Sequence, residues 1–291
     1  MTTPDEPLGA MPPPPDPSAS RPGVIGLHPL TLGEVYSGAK DVLVRNWALL
    51  LGLGLAVSVV EQLLALVVRL GFERDLRSSL VDSNFTSGDA VRAIASAGIA
   101  SLLVALIGFV LTLVVSAVAI TVVRGEVTGR RVAPGDAVSA GMAKLGRLVA
   151  VTLMLGALAF AGFLLLFGVT LAIGRFGMVL AFAWLVVCVY FGILFVFRDA
   201  AIVVEDAGVL DSLRRSKGLV TGGWWRVFGI LLLTELAFGV VSWVLNLIIP
   251  VDWLVAMVVG AVSTPVVVCV TTLLYFDYRM RKEGPQSITT A

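Results

Sequence analysis

The sequence predicts an all-α integral membrane protein, with six transmembrane helices in three parallel hairpin units, each preceded by a cytoplasmic amphipathic helix. Three observations lead there. The 291 residues are 58% hydrophobic and only 14% charged, with a mean hydropathy of +0.97; a soluble domain is about 45–50% apolar and about 25% charged. Apolar stretches of about 20 residues, the length that crosses a hydrocarbon core of roughly 30 Å as a helix, recur from Trp47 onward. Short segments with helical periodicity stand before the first, third and fifth of these stretches.

Residues 1–29 hold nine of the 13 prolines, including the run Pro12 to Pro15. They predict a disordered, Pro-rich cytoplasmic tail that serves as a solvated spacer or as a docking segment for a proline-binding module. With no apolar h-region and no basic n-region near Met1, the tail does not resemble a cleaved signal peptide. The six-span domain covers residues 30–284, and 285–291 form a short cytoplasmic tail.

The first unit, about residues 30–124, opens on a Thr31-Leu32-Gly33-Glu34 capping box. Leu32, Val35, Tyr36, Ala39, Val42 and Leu43 then share one helical face. Its spans are Trp47–Val68 and Ile94–Val123, and Arg69 to Ala93 between them predict an outer loop large enough to contact a partner. Asn84-Phe85-Thr86 matches the N-glycosylation triplet, a chance match in a bacterial chain.

The second unit, about 132–199, starts at Pro134-Gly135-Asp136 and continues through Val138, Met142 and Leu145 to spans Leu148–Leu171 and Gly177–Phe197. The 50 residues from Leu148 to Phe197 carry one charge, Arg175. At about 1.5 Å per residue a single helix of that length is too long for the bilayer, so the chain folds back near Gly174. The third unit, about 205–282, places Val209, Leu210, Leu213 and Val220 on one face, with Asp211, Arg214, Arg215 and Lys217 between. Glu205 and Asp206 at its start fit the positive end of that helix's dipole. Spans Val227–Ile249 and Trp253–Phe276 follow, joined by a tight turn at Pro250-Val251.

Basic residues set the orientation. Under alternate crossing, 16 of the 21 Lys and Arg fall on the side of the termini and five on the other, which puts both termini in the cytoplasm. The excess of 17 Arg over four Lys, together with the Ala, Val and Gly usage, points to GC-rich codons and a bacterial plasma membrane. Trp47, Trp224, Trp225 and Trp253 fall at span ends, where aromatic belts lie. All three units enter from one side, unlike the inverted repeats of many transporters.

A net charge of +1 gives no field for nucleic acid, and one histidine with two cysteines makes no metal cage, so no cofactor is expected. Cys188 and Cys269 fall mid-span and act as small apolar side chains. No Gly-X-Ser-X-Gly elbow, His-Glu-X-X-His or phosphate loop is present. Glu61 and Glu235 are the two acidic residues inside spans, where a charge costs about 2.5–3.5 kcal/mol on insertion scales. Glu235, Gly239, Ser242 and Asn246 share one helical face; Gly54 and Ser58 share a face with Glu61, beside Gln62. Gly260, Thr264 and Thr271 follow the same spacing in the last span. Glu61, Gln62, Glu235, Ser242 and Asn246 are therefore the candidate intramembrane polar site, lining a water-accessible path or forming a small-residue packing seam. Arg130, Arg131, Lys144, Arg214, Arg215 and Lys217 are the candidate contacts to anionic lipid.

Three segments carry a family resemblance: Leu27-His28-Pro29-Leu30-Thr31-Leu32-Gly33-Glu34; Leu213-Arg214-Arg215-Ser216 to Gly223-Trp224-Trp225-Arg226-Val227; and Leu273-Leu274-Tyr275-Phe276-Asp277-Tyr278 through Gly284. Over about residues 27–284 the chain resembles an actinobacterial family of multi-span proteins labelled as the membrane domain of glycerophosphoryl diester phosphodiesterases. The resemblance implies the membrane architecture. The enzyme's catalytic domain needs histidines and a metal-holding carboxylate cluster, and this chain has one histidine, so catalysis is not carried over. The expected function is a non-enzymatic accessory or scaffold module that binds membrane lipids or a protein partner. The alternative is a small-solute or lipid transporter using the face around Glu235.

Overall fold

A computed structural model of the chain describes residues 28–81, 87–173, 177–284 and 286, and every regular element among them is a helix. In chain order these are α1 (Leu32–Arg45), α2 (Trp47–Val81), α3 (Ser87–Val127), α4 (Pro134–Ile173), α5 (Gly177–Leu194), α6 (Arg198–Glu205), α7 (Val209–Val220), α8 (Trp224–Ile248) and α9 (Asp252–Glu283). By length and composition, six segments can cross a membrane: Trp47–Arg74, Gly98–Val127, Pro134–Leu166, Val179–Glu205, Trp224–Ile248 and Asp252–Glu283. Each overlaps one of the six expected spans, with different ends. The Pro-rich tail up to residue 27, the Asn84-Phe85-Thr86 triplet, the turn at Gly174-Arg175 and most of the C-terminal tail lie outside the described residues.

Local chemistry decides where the chain breaks. At the start of α1 both arms of the capping box form: the Thr31 N–H donates to Glu34 Oε2 at 2.7 Å and the Glu34 N–H to Thr31 Oγ1 at 3.3 Å. The helix stops at Asn46, whose backbone N–H and Nδ2 both donate to Val42 O at 3.1 Å. Between α7 and α8 the stop is Gly222, with φ of 88°, a left-handed conformation that glycine adopts without steric cost. Nothing comparable stands at Arg147. The amphipathic segment expected as a separate second helix is accordingly the first turns of α4, one continuous helix of 40 residues.

Two further expectations change. No proline separates residues 30 to 133, and α2 and α3, of 35 and 41 residues, run on past the apolar stretches. The expected outer loop from Arg69 to Ala93 is thus helical on both sides of residues 82–86, with an Arg69–Glu73 ion pair at 3.2 Å along α2. The fourth span does not continue to Phe197 as one helix. α5 ends at Leu194, and short-range bonds from Val196 N–H to Ile193 O (3.3 Å) and Arg198 N–H to Phe195 O (3.2 Å) turn the chain into α6, which the periodicity had not indicated. Ser216 of α7 completes the break: its fully buried hydroxyl accepts from Phe197 N–H at 3.0 Å and donates to Leu194 O at 2.9 Å.

α2 packs against α3 and α9, and α3 also touches α9; α4 lies on α3, α5 on α4 and α8 on α9. The core lies at one end of this bundle, where α1, α6, α7 and the last turns of α9 come together. Val35, Ala39 and Val42 of α1 are buried against it, so the apolar stripe of that helix is covered by protein. Toward the other end, α4 beyond Val151, α8 beyond Thr234 and α5 from Val179 to Gly192 contain no buried residue among those described. Their exposed Leu, Val and Phe side chains suit hydrocarbon as a neighbour.

Candidate functional site

The charged end is built around Asp277, whose side chain is completely buried near the end of α9. Its carboxylate accepts from Leu30 N–H at 2.7 Å, from Arg281 Nε at 3.0 Å and from Arg226 Nη1. Both arginines also donate to Leu30 O, at 2.6 Å from Arg226 and 3.0 Å from Arg281. The three segments that carry the family resemblance therefore meet at one point: the residues before α1, the start of α8 and the end of α9. A buried charge persists only when paired and hydrogen-bonded, and the paired charges here tie the two ends of the membrane domain together.

A second cluster lies beside it. Arg215 holds Glu205 through Nε and Nη2 at 2.8–3.0 Å and also pairs with Glu283; Arg279 Nε reaches Glu283 at 3.2 Å, and the Tyr275 hydroxyl donates to Glu205. The hydrogen bond to Glu283, reinforced by Glu205 and opposed by burial, holds Arg215 above the ordinary guanidinium range. Asp206, in the left-handed conformation at φ 59°, accepts from Lys144 and Arg147 of α4. Those two hydrogen bonds, Lys144 first, hold its carboxyl below the ordinary range. Glu205 and Asp206 are thus held by ion pairs rather than by the dipole of α7, whose N-cap is Gly208.

The basic candidates divide accordingly. Lys144 and Arg215 spend their charge inside the protein. Arg130, Arg131 and Lys217 are exposed and make no side-chain hydrogen bond or ion pair among the described residues, and exposed Arg214 pairs with Asp211 of its own helix at 3.2 Å.

The intramembrane candidates divide as well. Glu61 sits in the α2–α3 seam: Thr112 Oγ1 donates to its Oε1 at 3.3 Å, and a Cβ on Gly108 would meet that oxygen at 3.0 Å. The same face of α2 meets α9, where a Cβ on Gly54 would overlap the Ala261 carbonyl and one on Gly260 would reach Ser58 Oγ at 3.1 Å. Gln62 is half-buried beside it. This face is a small-residue packing seam.

Glu235 is elsewhere. It is exposed on α8 and has no hydrogen bond or ion pair among the described residues; Asn246 Nδ2 donates only to Ser242 O of its own helix, at 2.9 Å. At about 3.6 residues per turn, Glu235, Gly239, Ser242 and Asn246 lie on the side of α8 that carries Trp224 and Phe228. That side faces α5, where Trp224 stacks on Tyr190 at 5.8 Å and donates its indole N–H to Tyr190 O at 3.2 Å. The two glutamates therefore belong to different surfaces.

No group of three or more His, Cys, Asp and Glu side chains suited to a metal ion occurs among the described residues. Asp277 and its partners escaped the sequence expectation; the available signal was a lone acid set among aromatics, Tyr275-Phe276-Asp277-Tyr278, at the end of an apolar run. No curated protein and no solved structure matches the chain. A family profile described as "domain of unknown function (DUF7847)" matches residues 30–279, from the segment that bonds Asp277 to the end of α9, and the chain belongs to that family.

Proposed function

We propose that this is a non-enzymatic protein of the bacterial plasma membrane that binds anionic lipid headgroups or an acidic protein partner at its charged, cytoplasmic end. One observation carries the proposal. At an end where Lys144, Arg147, Arg215, Arg226 and Arg281 are consumed by internal pairs, Arg130, Arg131 and Lys217 stay exposed and unpaired among the described residues, with Arg214 exposed beside Asp211. Each basic side chain near an anionic surface is worth about 1 kcal/mol, and the paired frame beneath them holds their spacing.

The same proposal takes α2–α3, α4–α5 and α8–α9 as three hairpins entering from the cytoplasm, supported by direct packing within each pair. The resemblance to phosphodiesterase membrane domains fits an accessory part rather than a catalytic one. The test is thermal unfolding of the purified protein in neutral detergent with phosphatidylglycerol or phosphatidylcholine added. The phosphatidylglycerol-specific rise in midpoint should disappear when Arg130, Arg131, Arg214 and Lys217 are all replaced by Gln; an unchanged rise, with unchanged recovery of partners from membranes, removes the proposal.

A second function, transport of a small solute or lipid, is favoured by the exposed, unpartnered carboxylate of Glu235. It requires that Glu235→Gln abolish flux in reconstituted vesicles while folding is kept, and normal flux in that variant eliminates it.

A further inference from the structure

Above α6 the helices α3, α4 and α5 enclose a cleft of about 940 Å³, near the upper end of the roughly 300–1,000 Å³ of small-molecule sites. Its walls are apolar, with Phe109 from α3, Leu153 and Phe160 from α4, and Trp184 and Phe191 from α5; at its end lies Arg198, the first residue of α6. Along α4 the lining runs from Thr152 to Phe160 and along α5 from Trp184 to Gly192, with Phe195 in the turn beyond. At about 1.5 Å per residue each stretch measures roughly 12 Å, within the depth of one leaflet of a core roughly 30 Å thick.

The charge at the end of the cleft is only partly satisfied. Arg198 Nε is buried without a hydrogen bond, and its nearest opposite charge is Asp199 Oδ1 at 3.3 Å. Nη1 reaches Phe195 O at a long 3.4 Å, and Nη2 makes no hydrogen bond among the described residues. Asp199 and the Phe195 carbonyl therefore leave Nη2 without a partner among the described residues. The level suits a headgroup: Tyr190, about two turns before Arg198 in the chain, stacks on Trp224, one of the tryptophans expected at a span end.

We infer that this cleft binds one anionic glycerophospholipid, its acyl chains between α3, α4 and α5 and its phosphate on Arg198. A phosphate accepts charge-assisted hydrogen bonds from a guanidinium, whereas a choline headgroup would bring a second cation beside Arg198. The site goes beyond the surface contact proposed above and does not depend on it, because none of its lining residues belongs to the exposed basic set.

Two glycines make the test specific. Gly156 and Gly192 line the cleft, and a Cβ on either would meet nothing within 4 Å, so the side chains of Gly156→Phe and Gly192→Phe start into open space at the cleft. The full-length protein is purified in neutral detergent, titrated with phosphatidylglycerol or phosphatidylcholine, and the retained lipids are counted by native mass spectrometry. One phosphatidylglycerol should be kept in preference to phosphatidylcholine. The double Phe variant should lose it at an unchanged unfolding midpoint, and Arg198→Gln should weaken it about tenfold, the loss of one charge-assisted contact. Equal retention of the two lipids, or full retention by a folded double Phe variant, overturns the site. A thermal shift kept in the quadruple Gln variant, with this lipid lost from the double Phe variant, would remove the surface contact alone.

Discussion

Every residue of α9 from Thr272 to Met280 is buried, whereas no residue of α5 from Val179 to Gly192 is. Both helices are long and apolar enough to cross a membrane, so apolarity locates a helix without saying what covers it. The α2–α3–α9 side is closed by interdigitating glycines and serines and by the Thr112–Glu61 hydrogen bond, and α9 carries the buried Asp277 near its end. The α4–α5–α8 side has α4 against α5 at Gly162, where a Cβ would overlap the Trp184 ring, and leaves a cleft and a polar stripe beside it. In lipid, helices gain nothing by hiding apolar surface from one another, and packing follows close backbone approach and polar contacts. The first side has both; on the second, Gly162 meets the Trp184 ring, while Gly156, Gly192 and Gly239 face open space.

The sharpest way to break this contrast is to remove the buried acid. Asp277→Ala strands Arg226 and Arg281 and leaves the Leu30 N–H without its acceptor. Breaking a buried pair in this way costs about 3–5 kcal/mol. The counterpart Glu235→Ala, at an exposed and unpartnered position, should cost no more than about 0.5 kcal/mol. Unfolding of the two variants in the same detergent decides the matter, and equal losses would mean that the two sides are not different in kind.

Next in size is a pair of glycine substitutions. A Cβ on Gly54 overlaps the backbone of Ala261, which cannot swing aside as a side chain can. Gly54→Val should therefore push α2 from α9 and cost about 3 kcal/mol, the upper end of ordinary overpacking. Gly239→Val enters open space and should stay within about 0.5 kcal/mol. A tolerated valine at residue 54 would show that the seam is slack.

The six spans and the α1 cap were legible in the sequence because both rest on local signals: a run of apolar residues, and a Thr-x-x-Glu that closes on itself. The long-range pairs were not. The same motif of small residues with one glutamate occurs on α2 and on α8, and only the partner helix makes the first a seam and leaves the second open. Lys144 looked like a surface charge because its acid, Asp206, lies 62 positions away along the chain, and one of the two acids that hold Arg215, Glu283, lies 68 positions away. α6 went unnoticed because its start is fixed by Ser216 of another helix rather than by a cap of its own.

The smallest expected effect concerns the latch that holds α4 of the open side to the α6–α7 junction. Asp206 accepts from Lys144 and Arg147 while exposed to solvent, so the latch is a surface ion pair and contributes little. Its signature is the pH dependence. The native carboxyl is held below the ordinary range, and the unfolded one titrates near about 3.9. A depressed native pKa adds stability above the unfolded value, and that stability drains away as the pH falls through the native titration. Asp206→Asn keeps a residue type that tolerates the left-handed backbone and removes the charge. The wild type should then melt slightly above the variant at neutral pH, and the two curves should merge as the pH drops below about 3.9. A gap that stays constant through that fall would assign the difference to the backbone at φ 59° rather than to the pairs with α4.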